Sequence, residues 1–394
     1  MIQFRDLQKQ YEALKPKIDA EIAEVIRSAR FISGPQVGEL EKELAGYVGA
    51  KHCITCANGT DAITIGLMTW DIGAGDAVFV PDFTFFSSGE CPAFAGATPI
   101  FVDVDERTYN LDPEQLEDAV KKVKAEGKYV PKAVVAVDLF GLPANYDAIR
   151  PVCEKYGLLL LEDGAQGFGG SLHGKKACSF GDISTTSFFP AKPLGCYGDG
   201  GAIFTDNDAW ADKIRSICVH GKDTAHPNDP NAKYHNVRIG MNSRLDTLQA
   251  AILLPKLEAF RDYELDAVNQ AAAWYSEGLR DTGLLLPEIA DGYVSSWAQY
   301  TVQLPASVNR AALQKALREK GVPTMIYYPN PMHTQGAFKG TDSGDADCPV
   351  TERLCRSVLS LPMHPYLDKE SVKQVVDVLK EGLSLSEMLR ESFS

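Results

Sequence analysis

Leu158-Leu159-Leu160-Leu161-Glu162-Asp163-Gly164-Ala165-Gln166 reads as a strand, an almost wholly apolar run that stops on an acid and a small-residue turn. A carboxylate at such a strand end stands where open α/β sheets place their ligand contacts. Around it, from about residue 50 to 205, further short apolar runs recur at Cys53–Cys56, Val78–Val80, Pro99–Val102, Ala133–Val137, Ile183–Phe188 and Ala202–Thr205. Helical periods fill the gaps, at Asp61–Trp70, at Pro113–Lys124 with proline at its start, and at Tyr146–Tyr156 with Ile149 and Val152 on one face. Strand and helix in alternation predict a mostly parallel α/β sheet with both faces covered.

Further out, Tyr11–Ser28 and Val37–Val48 read as two amphipathic helices parted by the breaker Ser33-Gly34-Pro35, an N-terminal arm. Beyond the sheet, Arg244–Phe260 is a long apolar-rich helix expected to kink at Pro255. The pattern then changes to helix, strand Trp297–Leu304 and helix Asn309–Lys320. The expected division is residues 1–260, arm and large domain, and residues 261–394, a smaller α+β domain. The polar stretch Lys222–Asn231 is expected to be a mobile loop of the kind that covers sites.

At 394 residues, 45% hydrophobic and 23% charged, the chain can bury a sizeable core, which excludes a disulfide miniprotein and extensive disorder. A net charge of −14 argues against a protein that grips nucleic acid or an anionic membrane surface. An anionic ligand needs a locally built site. The nine cysteines are scattered and odd in number, and the start Met1-Ile2-Gln3-Phe4-Arg5-Asp6 has no charged-then-apolar leader, which fits the reducing cytoplasm. Cys53 and Cys56 have CxxC spacing, but no second pair or histidine follows at zinc-ligand distance, so no metal is expected. No apolar run approaches the roughly 20 residues that span a bilayer.

Chemistry concentrates in four places. Thr186-Ser187-Phe188-Phe189-Pro190-Ala191-Lys192-Pro193-Leu194-Gly195 puts a lone lysine in apolar, glycine-rich company. Desolvation lowers an ammonium pKa, which is what a nucleophilic Schiff-base lysine needs at neutral pH; the competing reading is a solvated loop lysine. Asp163 tips the balance, since a strand-end acid is suited to pair with a pyridinium nitrogen and keep the ring an electron sink, although an acid there also serves as a plain cap or turn residue. Cys56-Ala57-Asn58-Gly59-Thr60-Asp61-Ala62 runs from strand through a small-residue turn into a helix, whose N–H groups with the Thr60 hydroxyl suit a phosphate. Many such junctions use Asn-Gly only to turn. Pro81-Asp82-Phe83-Thr84-Phe85-Phe86 offers an aromatic that could stack on a planar ring or serve only to fill the core.

In this order, phosphate turn, aromatic, Asp-x-x-Gln and Ser-x-x-x-x-Lys resemble the fold-type I pyridoxal-phosphate aminotransferases, and more narrowly the DegT/StrS nucleotide-sugar aminotransferases. The likeness runs end to end, through Phe31-Ile32-Ser33-Gly34-Pro35-Gln36-Val37, Asp103-Val104-Asp105, Leu139-Phe140-Gly141, Gly240-Met241-Asn242-Ser243-Arg244-Leu245-Asp246 and Tyr328-Pro329. It implies the aspartate aminotransferase-like fold and pyridoxal 5'-phosphate as cofactor. It also implies that Lys192 forms the Schiff base and then shuttles the proton, and that Asp163 pairs with the pyridine nitrogen. Gln166 contacts the ring hydroxyl, Phe85 stacks on the ring, and Gly59, Thr60 and Ser187 hold the phosphate. Asn242 reaches the phosphate in a neighbouring subunit, so a homodimer with shared sites is implied.

Within the group, Ser187-Phe188-Phe189-Pro190, Lys192-Pro193-Leu194-Gly195-Cys196-Tyr197-Gly198-Asp199-Gly200-Gly201 and Asn242–Gln249 resemble enzymes that aminate UDP-2-acetamido-2-deoxy-3-oxoglucuronate in surface-polysaccharide synthesis. That likeness implies L-glutamate as amino donor. It places Arg244 (from the partner), Tyr327 and Tyr328 around the sugar nucleotide, with Arg244 suited to a carboxylate; a helix-start salt bridge is the plain alternative for Arg244. Lys222 and Lys233 are further cations, more simply read as solvated. Phe85 stands where those enzymes carry Tyr, and Tyr327 where they carry His. The alternative within the group is C4 amination of a 4-keto-6-deoxy nucleotide sugar. Outside it stand a non-catalytic cofactor-binding sensor, against which Lys192 counts, and a dehydratase branch in which His replaces that lysine.

Overall fold

The computed structural model describes residues 2–224 and 234–391. The strands in chain order are β1 (His52–Cys56), β2 (Asp76–Pro81), β3 (Thr98–Val102), β4 (Val130–Val137), β5 (Leu159–Asp163), β6 (Ser171–Leu172), β7 (Lys175–Lys176), β8 (Ile183–Ser187), β9 (Gly201–Thr205), β10 (Tyr293–Val294), β11 (Tyr300–Gln303) and β12 (Val358–Leu361). Seven of them form the main sheet, in the order β1-β9-β8-β5-β4-β2-β3. From β8 to β3 every pairing is parallel, and β9 alone runs against both its neighbours. The link from β8 to β9 holds no helix, only the turn that carries Lys192, so the chain comes straight back beside β8. The expected mostly parallel sheet is thus present, with one reversed strand.

The helices are α1 (Leu7–Ser28), α2 (Pro35–Val48), α3 (Gly59–Thr69), α4 (Ser87–Phe94), α5 (Pro113–Glu126), α6 (Tyr146–Tyr156), α7 (Asp208–Ile217), α8 (Thr247–Ala259), α9 (Leu265–Leu279), α10 (Arg310–Glu319), α11 (Pro349–Ser357) and α12 (Lys369–Glu391). Side-chain caps explain several starts: Asn58 accepts from Asp61 N, Asp112 from Glu114 N and Gln115 N, and Asn145 from Ala148 N. Helices on both faces bury the strands twice over. Val78, Val80 and Leu161 pack with Ile63 and Leu67 of α3, whereas Phe79, Val134 and Leu160 pack with Leu116 and Val120 of α5 and Ile149 of α6. Each such side chain contributes about 1.5–3 kcal/mol on burial.

Three expected boundaries move. The first helix begins at Leu7, not Tyr11, because Asp6 caps it through Lys9 N. The helix expected from Arg244 begins at Thr247, because Asn242 and Asp246 are held in backbone bridges to Val219 and Ile32. It continues through Pro255, and its irregularity comes later, as a π turn at Phe260–Glu264 that leads into α9. The strand expected over Trp297–Leu304 is confined to Tyr300–Gln303, Trp297 having a left-handed backbone (φ 49°). A separate core gathers Tyr275, Tyr300, Val302, Leu317, Leu359, Leu361 and Leu379 around the antiparallel pair β11 and β12. Most of the expected loop Lys222–Asn231, and Lys233, lie outside the described residues; on its two flanks Lys222 bridges Asn236. All nine cysteines are free and buried, and among the described residues no helix is long and apolar enough to cross a membrane.

Candidate active site

The sheet's parallel strands end at a cavity of about 490 Å³, within the usual range for a small-molecule site. Nine of the residues singled out from sequence line it: Gly59, Thr60, Phe85, Asp163, Gln166, Ser187, Lys192, Tyr327 and Tyr328. They arrive from five separate parts of the chain. Asp163 ends β5 and sits in register with Val137 of β4 and Thr185 of β8, so the sheet itself sets its position.

The acid is 6% exposed, with Oδ2 accepting from Ser88 Oγ at 2.8 Å and Oδ1 from Ala165 N at 3.2 Å. Burial pushes its pKa above the ordinary aspartate value, against the opposing pull of Ser88, the Ala165 N–H and the charge of Lys192. Such an acid gains from a cationic partner. Across the cavity, burial lowers the Lys192 ammonium below the ordinary lysine value, with Asp163 opposing the shift and Arg5 adding to it. The lysine turn is short, closed by Lys192 N on Phe189 O (2.9 Å) and Cys196 N on Phe188 O (2.8 Å).

Gln166 is fixed at both ends of its amide. Its Oε1 accepts from Phe140 N at 2.7 Å and its Nε2 donates to the Tyr328 hydroxyl at 3.0 Å. Burial, the larger influence, holds that phenol well above the ordinary tyrosine range, and the Gln166 contact opposes it. Tyr327 and Tyr328 share the wall with Phe85, whose ring lies 6.3 Å from that of Tyr328 and which is 53% exposed.

At the opposite end, α3 starts beside the end of β8. A Cβ on Gly59 would come 2.6 Å from Ser187 Cβ, so only glycine lets the helix start approach that strand. The Asn58 cap takes the Asp61 N–H and not those of Gly59 and Thr60, and first-turn amides have no carbonyl within their own helix. Two backbone donors, the Thr60 hydroxyl (2.8 Å from Ser87 Oγ) and the Ser187 hydroxyl therefore meet at one end of the cavity. This is a donor set for a compact oxyanion such as a phosphate.

Asn242 and Arg244 do not join this group within the chain. Asn242 is exposed and Arg244 half-buried, on a segment tied to α3 by Ser243 Oγ, which donates to Asp61 Oδ2 at 2.6 Å. Lys222 likewise lies away from the cavity. Sequence reasoning missed Ser88 and Gln299. Ser88 had a signal, a hydroxyl just after the aromatic run that follows β2; Gln299 had none, since it comes from the far part of the chain. Gln299 lines the cavity, and its Oε1 is buried without a hydrogen-bond partner among the described residues, an acceptor suited to a ligand donor.

A model of the DegT/DnrJ/EryC1/StrS aminotransferase family matches residues 12–380. The chain is 47% identical to a UDP-2-acetamido-2-deoxy-3-oxo-D-glucuronate aminotransferase of Pseudomonas aeruginosa, over 96% of this chain and 99% of that protein. It is 41% identical to a pleiotropic regulatory protein of Geobacillus stearothermophilus, over 95% and 97%. Among solved structures, a DegT/DnrJ/EryC1/StrS aminotransferase from Brucella abortus superposes with a TM-score of 0.91 at 45% identity, covering 97% of this chain and 99% of that one.

Proposed function

The chain belongs to the DegT/DnrJ/EryC1/StrS aminotransferase family, and on that premise we propose that it transfers the amino group of L-glutamate to the 3-keto carbon of UDP-2-acetamido-2-deoxy-3-oxoglucuronate, acting as a cytoplasmic homodimer with shared sites. The protein is a pyridoxal-phosphate-dependent sugar aminotransferase. The observation that carries the finer reading is the 47% identity, over almost the whole of both chains, to the aminotransferase of that keto sugar.

The donor set fits the cofactor: an amine (Lys192), a buried acid (Asp163), a fixed amide (Gln166), an aromatic face (Phe85), and the backbone and hydroxyl donors of Gly59, Thr60 and Ser187. When bound, pyridoxal phosphate supplies an amino-group carrier and an electron sink. In the proposed mechanism, Lys192 would hold the cofactor through its amine, which burial keeps less protonated than a surface lysine. The same amine would hold and move the proton at the amine-bearing carbon of each substrate in turn. Asp163, oriented by Ser88 and the Ala165 N–H, would pair as an anion with the ring nitrogen. Gln166, restrained at its other end by Phe140 N, would offer an amide N–H to the ring oxygen. Tyr327, Tyr328 and a partner's Arg244 orient the sugar nucleotide and its carboxylate.

Exposed apolar side chains support the dimer. Phe31 (45%) and Ile32 (49%) lie beside Asp246 and Thr247 through backbone pairing, next to the Asn242–Arg244 segment, and Ile239 is 87% exposed. Large apolar side chains left exposed in this way are what a subunit interface would cover. The test is optical: the purified protein's yellow band should bleach on addition of L-glutamate alone, and only a 3-keto UDP-uronate should then restore it. Restoration by a 4-keto-6-deoxy nucleotide sugar instead would move the reaction to C4, and a protein that pyridoxal phosphate cannot colour would remove the Schiff-base reading of Lys192.

A further inference from the structure

The segment Ile2–Asp6 lies ahead of α1. Ile2 packs on the core around Tyr275 and Tyr300. The Phe4 carbonyl accepts from Met363 N at 3.1 Å, and the Phe4 ring lies 6.3 Å from that of Tyr327 in the cavity wall. Arg5 then reaches the lysine turn from 187 positions away: its Nη2 donates to the Lys192 carbonyl at 2.6 Å and lies 3.5 Å from the Pro193 carbonyl.

The guanidinium sits among Glu264, Tyr327, Lys256, His364 and Lys192. Its surroundings do little to account for it. Glu264 supplies an opposing charge, but its hydrogen bonds go to Gln10 Nε2 (2.9 Å) and the Tyr366 hydroxyl (2.7 Å), and Arg5 Nε is buried without a partner among the described residues. Desolvating a guanidinium beside Lys256 and Lys192 is costly even with Glu264 nearby. The bond it makes in return is a charge-assisted one to the peptide carbonyl of Lys192, whose own turn is otherwise closed by two backbone hydrogen bonds.

We propose that Arg5 is a positioning residue for Lys192: it pins the backbone of the lysine so that the amine enters the cavity in one orientation, and it ties that orientation through Phe4 and Met363 to the core around β11 and β12. The inference rests on Lys192 being the Schiff-base lysine. An arginine suits the task because it stays charged at neutral pH and its planar fork loses little freedom per bond formed.

The apo-protein is mixed with pyridoxal phosphate and the growth of the yellow band is timed. Arg5→Met is expected to slow it by about tenfold or more, as a displaced reacting group does. Arg5→Lys should recover most of the rate. Affinity for pyridoxamine phosphate, which cannot react with the lysine, should stay within about twofold, and in turnover kcat should fall with KM little changed. Should Arg5→Met fail to fold, Arg5→Gln carries the same comparison. Wild-type capture rates in the variants, or a parallel loss of pyridoxamine phosphate affinity, overturn the proposal while leaving the Schiff-base reading intact. Absence of the band in the wild type removes that reading, and this inference with it.

Discussion

Asp163 shows what a single residue owes to its neighbours. As a buried carboxylate it is costly alone, yet Ser88 Oγ (2.8 Å) and Ala165 N (3.2 Å) hold it in place for a cation. Ser88→Ala removes one hydrogen bond to a charged group, a contribution of about 1.5–3 kcal/mol. We expect a drop of about tenfold in kcat/KM for L-glutamate, measured by steady-state kinetics, with the fold unchanged by circular dichroism. Lys192→Ala should give a folded protein that retains pyridoxal phosphate without the covalent yellow band and has no measurable turnover; undiminished amination by that variant would show that the nucleophile is elsewhere. The acid and the lysine were legible in sequence because each stands out against apolar company. Ser88 escaped because a hydroxyl in the first turn of a helix has many plainer roles.

Elements place these residues, and a polar tie holds two of the elements together. Just past β2, Asp82 accepts from His333 N at 2.8 Å and from His333 Nδ1 at 2.7 Å, all of it buried. Asp82, His333 and Cys348 bring ligand-type atoms within 4.8 Å of one another, but the Asp82 oxygens are already used by the histidine, so the cluster acts as a structural clasp. The hydrogen bond to Asp82 raises the His333 pKa above the ordinary 6.5, against its burial and with help from the charges of Asp82, Glu352 and Asp103. A raised histidine stabilises fully below its unfolded value, and that contribution is lost as pH rises through the folded value. The stability gap between wild type and His333→Gln should therefore be wider at about pH 6 than at about pH 9, as read by urea melts. An equal gap at both would show that the clasp does not titrate. Strands β1 to β5 were readable as short apolar runs, whereas the bend at Trp297 was not, because its left-handed backbone answers to a tertiary contact: Ser296 N bonds Gly141 O at 2.9 Å.

For the molecule as a whole, the proposed dimer makes a prediction that single variants cannot. If Arg244 serves the neighbour's cavity, Lys192→Ala and Arg244→Ala are each inactive alone, but a mixed dimer rebuilds one intact site. Random mixing of the two should restore about a quarter of wild-type activity; no recovery would place Arg244 in its own subunit's site. The seven-stranded sheet, its covered faces, and the choice of the Asn58–Asp61 turn, Asp163 and Lys192 as candidate site residues could be read from the chain alone, since they follow from apolar runs, helix caps and residue types at close spacing. Tertiary structure alone decided the reversal of β9, the Ser88 and Gln299 contributions, and the reach of Arg5 to a carbonyl 187 positions away. The physical reason is range. Propensity, capping and hydrophobic period act over a few residues, whereas a buried polar group takes its partner from whatever the folded core brings within about 3 Å.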